Sequence, residues 1–222
     1  MSSIQPIKIW GQTGANPPKI IMIVKELGLP HTIIPVSFDD VKKPDFLKIN
    51  PNGRLPAIHD PNTGLTLWES GAIIEYLIEK YDANGVLSYA SGTDNAYLSK
   101  QWLYFQVSGQ GPYYGQAAWF QKHHSEFVQS ALNRYLDEIE RVTSVLDGHL
   151  RAQKERYGGE PWLVGNRITY ADVAFVTYQH FIPIMLSEEL KPRNLARFTE
   201  VADWIARLVS RSAINGVLHP SS

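Results

Sequence analysis

The stretch from Asn50 to Ser70, NPNGRLPAIHDPNTGLTLWES, constrains this chain more than any other. It reads as a strand, a hairpin turn across Asp60-Pro61-Asn62-Thr63-Gly64, a second strand and the opening of a helix. Leu55 precedes Pro56 and is pushed toward an extended backbone, while Pro56 brings no N–H to the strand that Ala57 and Ile58 continue. The Leu55 backbone is thereby left open to pair with a guest peptide, and a cis Leu55–Pro56 bond would present it outward. At the far end, Trp68-Glu69-Ser70 precedes GAIIEYLIEKY, in which Ile73, Ile74, Leu77 and Ile78 recur at helical spacing. Ser70 therefore reads as an N-cap. A helix start attracts a carboxylate and Glu69 attracts an ammonium, so together they suit the α-amino-acid end of a ligand.

Before this stretch, Ile7 to Trp10 reads as a short strand, and Pro17-Pro18 opens a helix that runs to about Leu27. Gly28-Leu29-Pro30 stops that helix, His31 to Val36 reads as a second strand, and a short irregular helix falls around Lys43 to Lys48. The order βαβαββα predicts an α/β, thioredoxin-like domain over residues 1–83. DANGVLSYASGT is a polar, glycine-containing connector, and all-helical patterns follow over residues 94–222. These run from Asn95 to about Phe120 with an interruption at Gly109 to Pro112, then from Glu126 to about Arg156. Thr169 and Asp172 form a capping box for the next helix, and a last pair lies near Glu200 to Val209 and Ala213 to Leu218.

Lys and Arg number 21 and Asp and Glu 22, so no electrostatic footprint for nucleic acid or an anionic membrane is present. Cysteine is absent, which removes disulfide staples, thiolate metal sites and a protein-borne redox dithiol. Any thiol chemistry must be imported. The first twenty residues lack the pattern of a signal peptide, and no apolar run is long enough for a spanning helix, so a cytoplasmic location is expected.

The Leu55-Pro56 and Glu69-Ser70 features, with the segment before them, resemble the glutathione transferase superfamily. That resemblance implies a glutathione transferase architecture, with Leu55 and Pro56 at the cysteinyl backbone and Glu69 with Ser70 at the γ-glutamyl group. Trp162 to Gly165 followed by Thr169 to Asp172 resembles the buried folding signal of the family's helical domain, which makes Asp172 structural. Asn16 before the first helix, with SGQGPYYGQAAWF downstream, resembles the nu-class bacterial enzymes and the fungal proteins related to the yeast nitrogen-catabolite regulator. Val41 stands where some relatives carry a histidine for the glycyl carboxylate, which then falls to Lys42, Lys43 or Arg54.

Glutathione as cosubstrate requires a lowered thiol pKa, and two units correspond to roughly 2.7 kcal/mol of preferential thiolate stabilisation. The loop before the first helix holds no Tyr, Ser or Cys, so Asn16 and Thr13 are the candidates for this catalytic role. Asn16 also reads as an N-cap through its side-chain oxygen, an arrangement that leaves its NH₂ for sulfur. Tyr113, Tyr114, Trp119 and Phe120 are candidates for an electrophile pocket or for core. His123, His124 and Glu126 read as a solvated helix end, and no metal is expected. The implied activity is conjugation to electrophiles, in detoxification or a biosynthetic step, or reduction of small disulfides. A glutathione-binding regulatory protein is the alternative. The resemblance further implies a homodimer.

Overall fold

In the computed structural model, which describes residues 4–220, the chain divides into two compact units. The first comprises the residues up to Ser88 together with the segment from Arg211 on, and the second is Tyr89–Ser210.

The first unit runs β1 (Ile7–Trp10), α1 (Pro17–Glu26), β2 (His31–Ile34), α2 (Pro44–Leu47), β3 (Ala57–Asp60), β4 (Leu65–Trp68) and α3 (Ser70–Tyr81), the expected βαβαββα order. The sheet order is β2-β1-β3-β4. The crossover through α1 makes β1 parallel to β2, with Ile9 opposite Ile33, whereas β3 and β4 are joined by a tight turn and pair antiparallel, Ala57 opposite Trp68. Ile7, Ile9 and Ile58 are fully buried under α1, whose residues Ile20 to Val24 complete this core. β2 ends at Ile34 rather than at Val36, because Pro35 has no N–H with which to continue the ladder.

Buried Asp60 ties the hairpin to α3. Its carboxylate accepts from Tyr76 Oη at 2.5 Å, from Tyr81 Oη, and from the N–H and Nδ2 of Asn62, both at 2.8 Å. Burial pushes this carboxyl up, but the donors outweigh burial and hold it below the usual range. The two ends of the stretch that turns through Glu69 are thus fixed.

At the end of the chain α10 (Ser212–Leu218) packs on α1 in the first unit. Ile214 and Leu218 supply its buried face, and Arg211 grips Glu26 through Nε at 2.8 Å and Nη2 at 2.6 Å.

The second unit contains α4 (Asp94–Phe105), α5 (Gly111–Lys122), α6 (Gln129–Tyr157), α7 (Tyr170–Met185), α8 (Ser187–Leu190) and α9 (Thr199–Ser210). The interruption expected at Gly109 to Pro112 is a π-helical turn over Gln106–Gln110, continuous with both neighbours. Pro112 lies in the first turn of α5, where it needs no N–H, and the buried Gln106 amide donates to Gln110 Oε1 at 3.0 Å.

Asp172, fully buried in α7, accepts from Leu163 N–H at 2.9 Å, Thr169 N–H and Oγ1 at 2.8 Å, and Trp204 Nε1 at 3.0 Å. Burial pushes its carboxyl up despite these donors. The acid joins three segments of the second unit, the structural role the sequence implied.

Candidate functional site

The candidate residues of the first unit converge from three connections. The loop after β1 carries Thr13 and Asn16, the turn before β3 carries Arg54 and Leu55, and the entry to α3 carries Glu69 and Ser70.

Gly11 lets the first two approach. It has φ 96, and a β-carbon there would stand 3.0 Å from Leu55 Cδ1, so only glycine combines this backbone with this proximity. The turn before Leu55 is held by buried Asn50, whose Nδ2 donates to Arg54 C=O at 2.6 Å and whose Oδ1 accepts from Asn52 N–H at 2.9 Å. The Leu55–Pro56 peptide bond is cis. The Leu55 side chain packs on Val41, Phe46 and Ala57, while among the described residues no hydrogen bond engages its N–H or C=O.

At the entry to α3 the cap is Glu69, not Ser70 as the sequence suggested. Glu69 adopts φ 71 and ψ 117, a left-handed backbone costly for a residue with a β-carbon. Its C=O accepts from Ile73 N–H at 3.0 Å, so Ser70, buried, becomes the first helical residue. The N–H groups of Ser70, Gly71 and Ala72 and the Ser70 hydroxyl have no partner among the described residues, which leaves these donors open to an anion. The exposed Glu69 carboxylate stands 3.5 Å from Asn52 Nδ2 and so retains accepting capacity.

Asn16 departs from the expected cap. Its backbone is helical, at φ −90 and ψ −44, and its side chain makes no capping bond. Only its C=O is used, accepting from Lys19 N–H at 3.2 Å. The half-buried amide therefore keeps both donor and acceptor without partners among the described residues. Thr13 is exposed and likewise unengaged.

The cations sort themselves by their partners. Lys43 pairs with Asp40 at 2.5 Å, both exposed, and the pairing pushes the ammonium pKa up. Lys42 Nζ donates to Asn52 C=O at 2.8 Å, and Val41 is a buried core residue. The Arg54 guanidinium makes no hydrogen bond or ion pair among the described residues.

Lys19 was not anticipated. It lies in the first turn of α1 with 1% of its surface exposed, and burial draws its pKa down to about 7 against the opposing charge of Glu69. The available signal was its place in PPKIIMIV, a run otherwise apolar on every side.

Of the aromatic candidates in the second unit, Tyr114 is core, fully buried with its hydroxyl among Ile139 C=O, Thr143 Oγ1 and Gln179 Nε2. Phe120 stacks on Tyr135, and Trp119, partly exposed, stacks on His124. Among the described residues no group of His, Cys, Asp or Glu is placed to hold a metal, and no helix is long and apolar enough to cross a membrane.

Comparison with known proteins supplies a frame for this geometry. The family model for the glutathione S-transferase N-terminal domain matches residues 16–80, and that for the C-terminal domain matches residues 107–220. The glutathione S-transferase-like protein gedE of Aspergillus terreus is 50% identical, over 98% of this chain and 96% of its own. The glutathione transferase URE2P6 of Phanerochaete chrysosporium, solved in complex with oxidized glutathione, is 41% identical with a TM-score of 0.86, over 96% and 94% of the two chains. The yeast prion protein Ure2p, solved in complex with glutathione, is 30% identical with a TM-score of 0.87, over 98% of this chain and all of the other.

Proposed function

The chain belongs to the glutathione S-transferase family, in its fungal Ure2-related branch, and from that premise we propose that it binds glutathione and uses its thiolate as a nucleophile. The observation that carries this reading is the pair of unengaged groups at the two ends of one stretch, the Leu55 backbone and the Glu69–Ser70 helix start. A tripeptide with a cysteinyl backbone next to an α-amino-acid end offers the complement of both.

In this reading Leu55 N–H and C=O pair with the cysteinyl residue in antiparallel fashion. Glu69 takes the glutamyl ammonium, and Ser70 with the first N–H groups of α3 takes the glutamyl carboxylate. The glycyl carboxylate goes to Arg54, whose guanidinium has no partner among the described residues, whereas Lys43 already pairs with Asp40 and Lys42 already donates to Asn52 C=O. Asn16 donates its amide N–H to the sulfur and favours the thiolate, with Thr13 the weaker candidate. An amide cannot accept the thiol proton, which leaves to solvent or another base before attack.

The thiolate then attacks an electrophilic carbon and expels a leaving group, or attacks one sulfur of a mixed disulfide and expels the other thiolate, with oxidized glutathione formed when the first sulfur is glutathione's own. A preformed thiolate and a leaving sulfur suffice for the second, so disulfide reduction is expected at least alongside conjugation. The cytoplasm, where glutathione keeps thiols reduced, is the compartment this chemistry suits. A homodimer is part of the same reading, supported by Tyr97 and Tyr104, which are exposed one heptad apart on α4.

Calorimetric titration with glutathione, followed by an aryl-halide conjugation assay and a glutathione mixed-disulfide reduction assay, tests the proposal. Binding with turnover in either assay supports it. Binding without turnover in both favours a regulatory glutathione-binding protein, the role suggested by the nitrogen regulation fragment of Ure2p.

A further inference from the structure

Phe38 stands 66% exposed on a turn whose bonds do not require it. The turn follows β2 and is pinned on both sides of Phe38. Val36 before it and Val41 after it pack in the cluster that holds Leu55, Phe46 and Ala57. Between them Ser37 Oγ donates to Asp40 Oδ2 at 2.7 Å and accepts from Asp40 N–H at 3.2 Å, while Asp40 C=O accepts from Lys43 N–H at 3.0 Å. The Phe38 ring is thus carried outward by a frame built from its neighbours.

That frame sets the ring against the loop of the thiol site. A β-carbon at Gly14 would stand 3.3 Å from Phe38 Cζ, and Gly14, at φ 83, holds a left-handed backbone. Gly14 lies between Thr13 and Asn16 in the loop after β1, and by the reach of the chain its Cα is within about 7 Å of that of Asn16. Topology explains the meeting. β1 and β2 are parallel, so the loops that leave them emerge at one end of the sheet, and Gly11 N–H donates to Ile34 C=O at 2.9 Å where they part. β3 runs antiparallel to β1 with Ala57 opposite Trp10, which brings Leu55 to the same end. A large apolar ring is therefore exposed where the carboxyl ends of parallel strands receive ligands.

We propose that Phe38 is a specificity-determining residue of the thiol site, its ring offering the apolar face against which an aromatic ring of the second substrate packs. This rests on the glutathione reading above. Phe38 has no polar side-chain atom, so it neither activates the sulfur nor grips the tripeptide's charged ends. Two aromatic rings gain from offset or edge-to-face packing beyond the area they bury. Aryl and benzyl electrophiles are therefore preferred over small alkyl ones.

S-benzylglutathione and S-methylglutathione share the tripeptide and differ only in the group on sulfur, so the ratio of their calorimetric affinities isolates the contact made by that group. The parent is expected to bind the benzyl compound about tenfold more tightly. Phe38→Ala, a change at an exposed position that leaves the fold intact, should lower that ratio about fivefold and leave S-methylglutathione binding as in the parent. Phe38→Tyr should keep the parent's ratio. In the conjugation assay Phe38→Ala should raise KM for the aryl halide and leave KM for glutathione unchanged. A parent with equal affinity for the two compounds overturns the proposal, as does a Phe38→Ala protein that keeps the parent's ratio. A Phe38→Ala protein that weakens both compounds equally also overturns it, since the ring would then serve the Gly14 loop and not the substrate. A parent that binds neither compound removes the glutathione reading, and this proposal with it.

Discussion

A β-carbon at Gly11 would stand 3.0 Å from Leu55 Cδ1, so the loop that carries Thr13 and Asn16 rests on the residue whose backbone is open to a guest. Gly11→Ala must resolve both that proximity and a backbone at φ 96. We expect a loss of about 1–3 kcal/mol in unfolding free energy by urea titration, with weaker glutathione binding in the folded protein. An unchanged affinity would separate the loop from the site.

Glu69→Ala and Ser70→Ala should each weaken glutathione binding by about 1.5–3 kcal/mol, since each removes a partner from a charged group of the ligand. Calorimetry reads this directly. If both variants bind as the parent does, the glutamyl end is held elsewhere.

Asp172→Ala strands the N–H groups of Leu163 and Thr169 and the Trp204 indole, so unfolding free energy should fall by at least about 3 kcal/mol. Turnover per folded molecule, counted by active-site titration, should persist. Loss of turnover in a fully folded variant would move Asp172 from scaffold to chemistry.

Lys19 makes stability depend on pH in a stated direction. Its pKa is 10.5 in the unfolded chain and about 7 in the folded one, so between these values the unfolded state holds the extra proton and stability rises with pH. Below about pH 7 the penalty is fully present, on the order of 5 kcal/mol, and it is relieved as pH approaches 10.5. Urea titrations from pH 6 to 9.5 should show a slope in the parent that Lys19→Met lacks. Parallel curves would mean that the folded protein keeps Lys19 charged.

The first unit was legible because its signals are local. Ile7 to Trp10, the hairpin turn and the periodic run into α3 each fix an element within a few residues, and the structure holds them in the predicted order. What sequence could not show depends on backbone or burial set by the fold. A left-handed Glu69 is invisible in a string of residues, so the cap was placed one residue late, at Ser70. Asn16 before two prolines has the composition of a cap, but its backbone is helical and its amide makes no capping bond. Gly109 to Pro112 reads as a breaker, yet buried Gln106 and Gln110 bond each other and carry the helix through a π turn. Lysine is almost always exposed, so nothing but its apolar surroundings marked Lys19. Residues 187–197 lack apolar periodicity, and α8 and the short turns after it went unanticipated.

If the site ionises the thiol of bound glutathione through the Asn16 amide, ultraviolet titration of bound thiolate reads it. The parent should show a pKa below that of free glutathione. Asn16→Ala, checked for folding by circular dichroism, should return it toward the free value and slow both turnover assays at neutral pH, while Thr13→Val should matter less. A pKa raised by Thr13→Val and left alone by Asn16→Ala would contradict the account and make the Thr13 hydroxyl the activating group.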